Sequence, residues 1–407
     1  MQSLAPLRVP GFGRLLTSYT INELGDSVGV VALALLVYDE TGSAVATTAL
    51  FIAAKFLPAL LAPLVTARID RAPLRRALPA IYLVEAVVFG LLALVAGEFV
   101  LALVLALALL DGTLALTGRA LTRGGIADLL TAPGVLREGN GLVNIGFAVA
   151  SVGGAALGGV LVAGVGFEAA LLIDAASFAV AAAVVASART LPEIDVEHAE
   201  ASMRVRVAEG LRHVRSSPLL RILLAGEALA LVFFTLVVPI EVVYARETLG
   251  TDAGGFGLLL ASWGVGIVVG SAVFVAVRKR SPIALVLGST SLLGVAYLGM
   301  SAVDELWAAC ALSVVGGAGN GVQWVSVMTL LQERTPEGMQ ARLAGLLESI
   351  GAAMPGVGFI IGGALTSVFS APTTFAVAGV GVLALVAIGA ALFTRFPVGD
   401  PVADPGH

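Results

Sequence analysis

Charge is scarce in this chain. Asp, Glu, Lys and Arg make up 13% of its 407 residues, whereas soluble domains carry about 25%. A soluble enzyme of this length needs more polar surface, so that class is excluded. Lysine occurs only at Lys55 and Lys279, followed by Phe56 and Arg280. A phosphate-binding loop needs Gly-Lys followed by Ser or Thr, so ATP cannot be held by that device. No HExxH or CxxC pattern is present, and neither a metal site nor a cofactor is expected. The single cysteine, Cys310, lies in an apolar segment and permits no intrachain disulfide. Histidine occurs at 198, 213 and 407, in the central polar stretch and the tail, so no histidine carries protons at membrane depth. The N-terminal apolar stretch is too long for the core of a signal peptide and lacks a small-residue cleavage site.

What remains is apolar and small. Hydrophobic residues make up 58%, glycine occurs 49 times, and mean hydropathy is +1.00. Small residues let membrane helices approach closely, and crossing the hydrocarbon core takes about 20 apolar residues. The sequence divides into twelve such stretches: 13–37, 44–67, 77–96, 99–118, 140–164, 168–188, 219–243, 254–276, 283–302, 306–331, 343–367 and 371–394. An all-α polytopic membrane protein follows. Its connecting segments alternate in charge. Arg8, Arg14, 68–76, 119–123, 189–217, 278–280, 332–342 and Arg395 form a basic set, and 38–42, 96–99, 166–168, 246–252 and 303–306 a mostly acidic one. The positive-inside rule places the basic loops and both termini in the cytoplasm.

The longest polar stretch, at the midpoint, separates six spans from six. The expected organisation is an N-terminal six-helix bundle (1–188), a central loop (189–217), a C-terminal six-helix bundle (218–395) and a tail (396–407). Met203, Val207, Leu211 and Val214 recur near helical spacing among arginines, which fits a short amphipathic helix either on the inner membrane surface or in water. The halves echo each other. Tyr38 and Tyr244 each precede an acidic turn and a small-residue helix, and "GAALGG" (154–159) parallels "GFIIGG" (358–363). Parallel six-helix repeats are one transporter architecture, with the substrate site near the midplane.

"ELGDSVGVVALALLVYDETGSA", then Pro58 and "ARIDRAPLRR", resembles the first two helices and connecting loop of the major facilitator superfamily. The similarity is greatest to its drug:proton antiporter branch, the macrolide-efflux and enterobactin-exporter-like group. The resemblance implies two pseudo-symmetric six-helix bundles working by alternating access. It also implies a conformational latch at Asp70, Arg71, Arg75 and Arg76, although Thr66 and Pro73 replace the loop signature's glycines. The same charges serve positive-inside topology alone. "ASVGGAALGG" (150–159) keeps Gly154, Gly158 and Gly159 of the fifth-helix antiporter motif, with Ala150 and Ala155 for its first glycine and its proline. Helix packing accounts for these glycines equally.

With ATP and histidine set aside, a gradient drives transport, and intramembrane carboxylates carry any coupled protons. Glu23 and Asp26 (first span), Glu85 (third), Asp111 (fourth), Asp174 (sixth), Glu227 (seventh) and Glu348 (eleventh) lie at depth. Such groups cost about 3 kcal/mol or more to insert and face a cavity or each other. Asp26 and Glu23 form the expected proton-responsive centre, with Lys55 of the second span as counter-ion, either in coupling or as a static lock. Glu227, Glu348 and Asp111 are further candidates. Arg119 and Arg123 either face the cavity or snorkel to the inner surface.

Candidate cavity residues are Asn22, Phe51, Asn144, Phe233, Trp263, Asn320, Gln323 and Trp324, with core packing the alternative role for each aromatic. A mainly apolar pocket with acids suits an amphipathic or cationic compound. The leading expectation is proton-coupled efflux of a drug-like or natural-product molecule. Metabolite or siderophore import on the same fold, and a non-transporting sensor or scaffold, are the rivals. The expected partners are the bilayer, a small molecule and protons, with no nucleic acid. A monomer in a bacterial inner membrane, without enzyme activity, completes the expectation.

Overall fold

The structure, a computed structural model, describes residues 2–69, 72–188, 191, 218–277, 280–333 and 340–395. Helices account for the fold, and no strand occurs among the described residues. A short 3-10 turn, Gln2–Arg8, leads into α1 (Phe12–Thr41). Next come α2 (Ala44–Ile69), α3 (Leu74–Gly97) and α4 (Leu101–Thr131). Leu136–Ala186 runs 51 residues, about 77 Å at 1.5 Å per residue, more than twice the hydrocarbon thickness. Gly166, at φ 82° and ψ 176°, breaks it into α5 (136–165) and α6 (167–186). α7 (Arg221–Thr248), α8 (Ala253–Val277), α9 (Pro282–Met300), α10 (Leu306–Glu333), α11 (Gln340–Val368) and α12 (Ala371–Arg395) complete the described helices. α10 is long enough to span but is diluted by glycines, Asn320 and Gln323. The twelve expected spans map one-to-one onto these helices.

The matched tyrosines take up similar local roles. Tyr38 accepts the N–H of Gly42 through its carbonyl, and Gly42 closes α1 at φ 56°. After Tyr244 a π turn delivers the chain to Gly250, at φ 57°. In both turns the left-handed residue is the one without a Cβ, as sterics require.

The chain divides into two compact units. Unit 1 holds Met1–His198 with Thr251–Ala261, and unit 2 holds Ala199–Gly250 with Ser262–His407. The expected amphipathic helix at 203–214 and the tail at 396–407 lie outside the described residues. Within unit 1, α1 is the most enclosed helix: 72% of its apolar window is buried, against 44% for α3 and 33% for α2. A helix wrapped by protein rather than lipid can carry polar groups, which explains acids in a membrane-spanning segment.

Glycines make the enclosure possible. A Cβ on Gly154 of α5 would lie 2.6 Å from Ser27 Cβ and 2.7 Å from the Leu24 carbonyl oxygen of α1, and Gly158 backs onto Val28 and Val31. Gly159 faces the backbone of Ala253 and Gly257, which group with unit 1. All three motif glycines therefore sit at helix–helix contacts. Gly154→Ala should lower stability in detergent by about 1–3 kcal/mol, the usual cost of overpacking. Gly153→Ala, with nothing within 4 Å of its added Cβ, should melt like the parent. Equal melting of the two variants would contradict this packing.

Candidate functional site

Glu23 and Asp26 are three residues apart on α1 and so share one face. Both are buried. Arg119 reaches them from α4. Its Nε donates to Glu23 Oε1 and its Nη2 to Glu23 Oε2, each at 2.6 Å. This is the bidentate fork that makes arginine–carboxylate pairs both strong and directional. The same Nη2 lies 3.8 Å from Asp26 Oδ2, which also accepts from Asn22 Nδ2 at 3.3 Å. The Phe147 ring lies beneath the guanidinium, 5.8 Å from centroid to Cζ, a cation–π distance. Asp26 Oδ1 and Asn22 Oδ1 are buried and have no hydrogen-bond partner among the described residues. One guanidinium thus serves two carboxylates, with Glu23 clamped and Asp26 held loosely.

The expected Asp26–Lys55 pair is corrected by this geometry. Lys55 is exposed and forms no ion pair with any described carboxylate. It sits on a π turn, Ile52–Phe56, where the Leu57 N–H bonds back to Ile52. The cause is Pro58, which has no N–H to offer the Ala54 carbonyl and so shifts the ladder. Gly112 of α4 lies against that carbonyl and the Pro58 ring. Lys55 lines a small cavity with Phe51, Phe89 and Asp111, so the lysine faces the Asp111 neighbourhood instead. Asp111 Oδ1 is buried and has no hydrogen-bond partner among the described residues.

Two more acids complete the interior of unit 1. Glu85 of α3 is fully buried, and neither oxygen has a partner among the described residues. Asp174 of α6 accepts from Ser177 Oγ at 3.2 Å and rests on the glycine face of α1. A Cβ on Gly29 would come within 2.6 Å of Asp174 Oδ2. The glycines of "ELGDSVG" therefore make room for a carboxylate and the Phe89 ring.

In unit 2 the sequence candidates Glu227, Asn320, Gln323 and Trp324 come together around one cavity of about 210 Å³, with Phe234 and Thr290. Gln323 Nε2 donates to Glu227 Oε2 at 2.8 Å. Other candidates lie apart from it. Phe233 packs its ring on Gly381 of α12. Trp263 stacks on Tyr297 at 5.7 Å and 19° and also meets Phe234. Asn144 is exposed on α5, and Arg75 and Arg76 are exposed at the start of α3. Asp70 and Arg71 lie outside the described residues, as does the side chain of Glu348 on α11. Thr290 carried no signal in the sequence. Arg119 did, as a possible cavity residue, but it stood beyond the expected end of its span.

Replacing Arg119 by methionine leaves Glu23 and Asp26 buried without their cation. The expected loss is about 3 kcal/mol, the low end for breaking a buried pair, because the arginine side chain keeps 28% of its exposure. Arg119→Lys should recover part of it, lacking the fork. Lys55→Met should leave the melting temperature unchanged. Thermal melts of the purified protein compare all three.

Solved structures share this fold at low identity. A mutant of the nucleoside transporter NupG matches with a TM-score of 0.76 at 10% identity, covering 94% of this chain and 100% of that one. A bacterial homolog of the human lysosomal transporter Spinster gives 0.66 at 15%, covering 95% and 96%. The human organic anion transporter MFSD10 gives 0.63 at 16%, covering 93% and 100%. No curated protein matches in sequence. Residues 1–404 match the family described as transmembrane secretion effector. With helices long and apolar enough to cross a bilayer throughout the chain, this is a membrane transport protein of the major facilitator superfamily, and it belongs to the transmembrane secretion effector family.

Proposed function

We propose that the protein is a secondary transporter that exports a small amphipathic compound in exchange for protons. The observation that carries this reading is the Glu23–Asp26–Arg119 cluster: two buried carboxylates share one guanidinium, and the second of them keeps an unpartnered oxygen. In that arrangement Glu23 is the fixed counter-charge of Arg119, and Asp26 is the acid free to exchange a proton during the cycle. A carboxylate held only loosely by its cation in a low-dielectric interior is costly, so its protonation is coupled to whatever changes its surroundings. The family's description as a secretion effector supports export over import. Drug-like and natural-product molecules fit the mainly apolar interior.

The chain works as a monomer in a bacterial inner membrane with both termini in the cytoplasm. Six-helix bundles at 1–188 and 218–395 flank the central loop, and Asp70, Arg71, Arg75 and Arg76 act as the latch between conformational states. Lys55 and Asp111 flank the coupling centre, and Glu348 is a further acid of the C-terminal bundle.

Asp26→Asn should abolish gradient-driven efflux in inside-out vesicles while the purified variant melts near the parent temperature. The readout is dequenching of a pH-sensitive dye when compounds from an amphipathic panel are added. Parental antiport in Asp26→Asn would overturn the assignment of the proton to this residue.

A further inference from the structure

The cavity of unit 2 has a chemical character that the coupling centre does not share. Its carboxylate, Glu227, is 6% exposed and has no ion-pair partner among the described residues. Gln323 holds Oε2, while Oε1 has no hydrogen-bond partner among the described residues in a side chain that lines the cavity. Two aromatic side chains, Phe234 and Trp324, line the same cavity, the latter 52% exposed. Asn320 and Thr290 add neutral polar groups. In unit 1 the comparable acid already has its arginine, whereas here the site lacks only the cation.

We propose that this cavity is a binding site for a compact organic ammonium ion, with Glu227 as its counter-ion and Phe234 and Trp324 as its aromatic walls. A buried carboxylate without a cation is destabilising until a ligand supplies one. Aromatic faces attract an ammonium most strongly where water is excluded. Gln323, donating to one oxygen, fixes the carboxylate plane and leaves the other for the ligand. Size sets the class further. A second cavity of about 80 Å³ adjoins, sharing Glu227, Ala230, Thr290 and Gln323. The cavity of Phe234 and Trp324, at about 210 Å³, lies below the range of about 300–1,000 Å³ usual for drug-sized ligands, while a third cavity of about 350 Å³ adjoins the second, sharing Ile222, Gly226, Leu385 and Gly389. The cavity beside Glu227 accepts a small head group, such as a trimethylammonium on one ring.

The inference rests on reading the chain as a carrier, but its test needs no gradient and so separates the two. Tritiated phenyltrimethylammonium is bound to the purified full-length protein in detergent, with tert-butylbenzene, its uncharged shape-match, as competitor. Saturable binding that tert-butylbenzene fails to displace is expected. Glu227→Gln should weaken it by at least about tenfold, the scale of losing a desolvated charge partner, and Trp324→Leu and Gln323→Leu by several-fold. Should Glu227→Gln fail to fold, Glu227→Asp, which withdraws the carboxylate by one methylene, should also bind several-fold more weakly. Parental affinity in a folded Glu227→Gln, equal displacement by the neutral analogue, or no saturable binding to the parent overturns the proposal. Absence of proton exchange in the parent protein, with this binding intact, counts against the antiport reading alone.

Discussion

The Arg119–Glu23 pair is the constraint around which unit 1 is arranged. Neither ion can be taken out of water alone, and together they are tolerable only when both oxygens and the guanidinium fork are aligned. That alignment, at 2.6 Å twice, fixes the rotation of α4 against α1. Gly112 lies seven residues before Arg119 and hence on nearly the same face. It meets the carbonyl that Pro58 leaves without its helical donor. The π turn of α2, and with it the position of Lys55, is therefore fitted to the face of α4 that carries the arginine.

The enclosure of α1 follows from the same need. A helix bearing two acids and an asparagine cannot face lipid, so other helices must cover it, and glycine is what lets them come close. Gly154 and Gly158 bring α5 onto one side, while Gly25 and Gly29 admit Asp174 and Phe89 on another. The acids that look least suited to a membrane are thus placed on the helix that meets it least.

The two units solve the buried-charge problem differently. In unit 1 a cation is built in, and the surplus acid is the point of chemical interest. In unit 2 Glu227 is held by an amide instead, which orients a carboxylate without neutralising it. An amide costs less to bury than an ion and leaves the charge available to something that comes and goes.

Span number and helical class were legible in the sequence because they depend on composition and period, which add up along the chain, and the superfamily was legible as a resemblance carried by the first two spans and the loop after them. The acids at depth were legible for the same reason: a charge in an apolar run stands out wherever it points. Partner choice was not. Asp26 and Lys55 sit at similar depth on neighbouring antiparallel helices, and depth alone pairs them. Helix rotation and the π turn send the lysine toward Asp111 instead. Arg119 was read as marking the end of a span at 118, yet α4 continues to Thr131, so the arginine lies within the helix and reaches Glu23. Likewise Glu227 and Gln323 are 96 residues apart and meet only through the packing of α7 and α10. A sequence records how far along a helix a charge lies; which way it faces is set by ridges, glycines and proline breaks, and these act between helices.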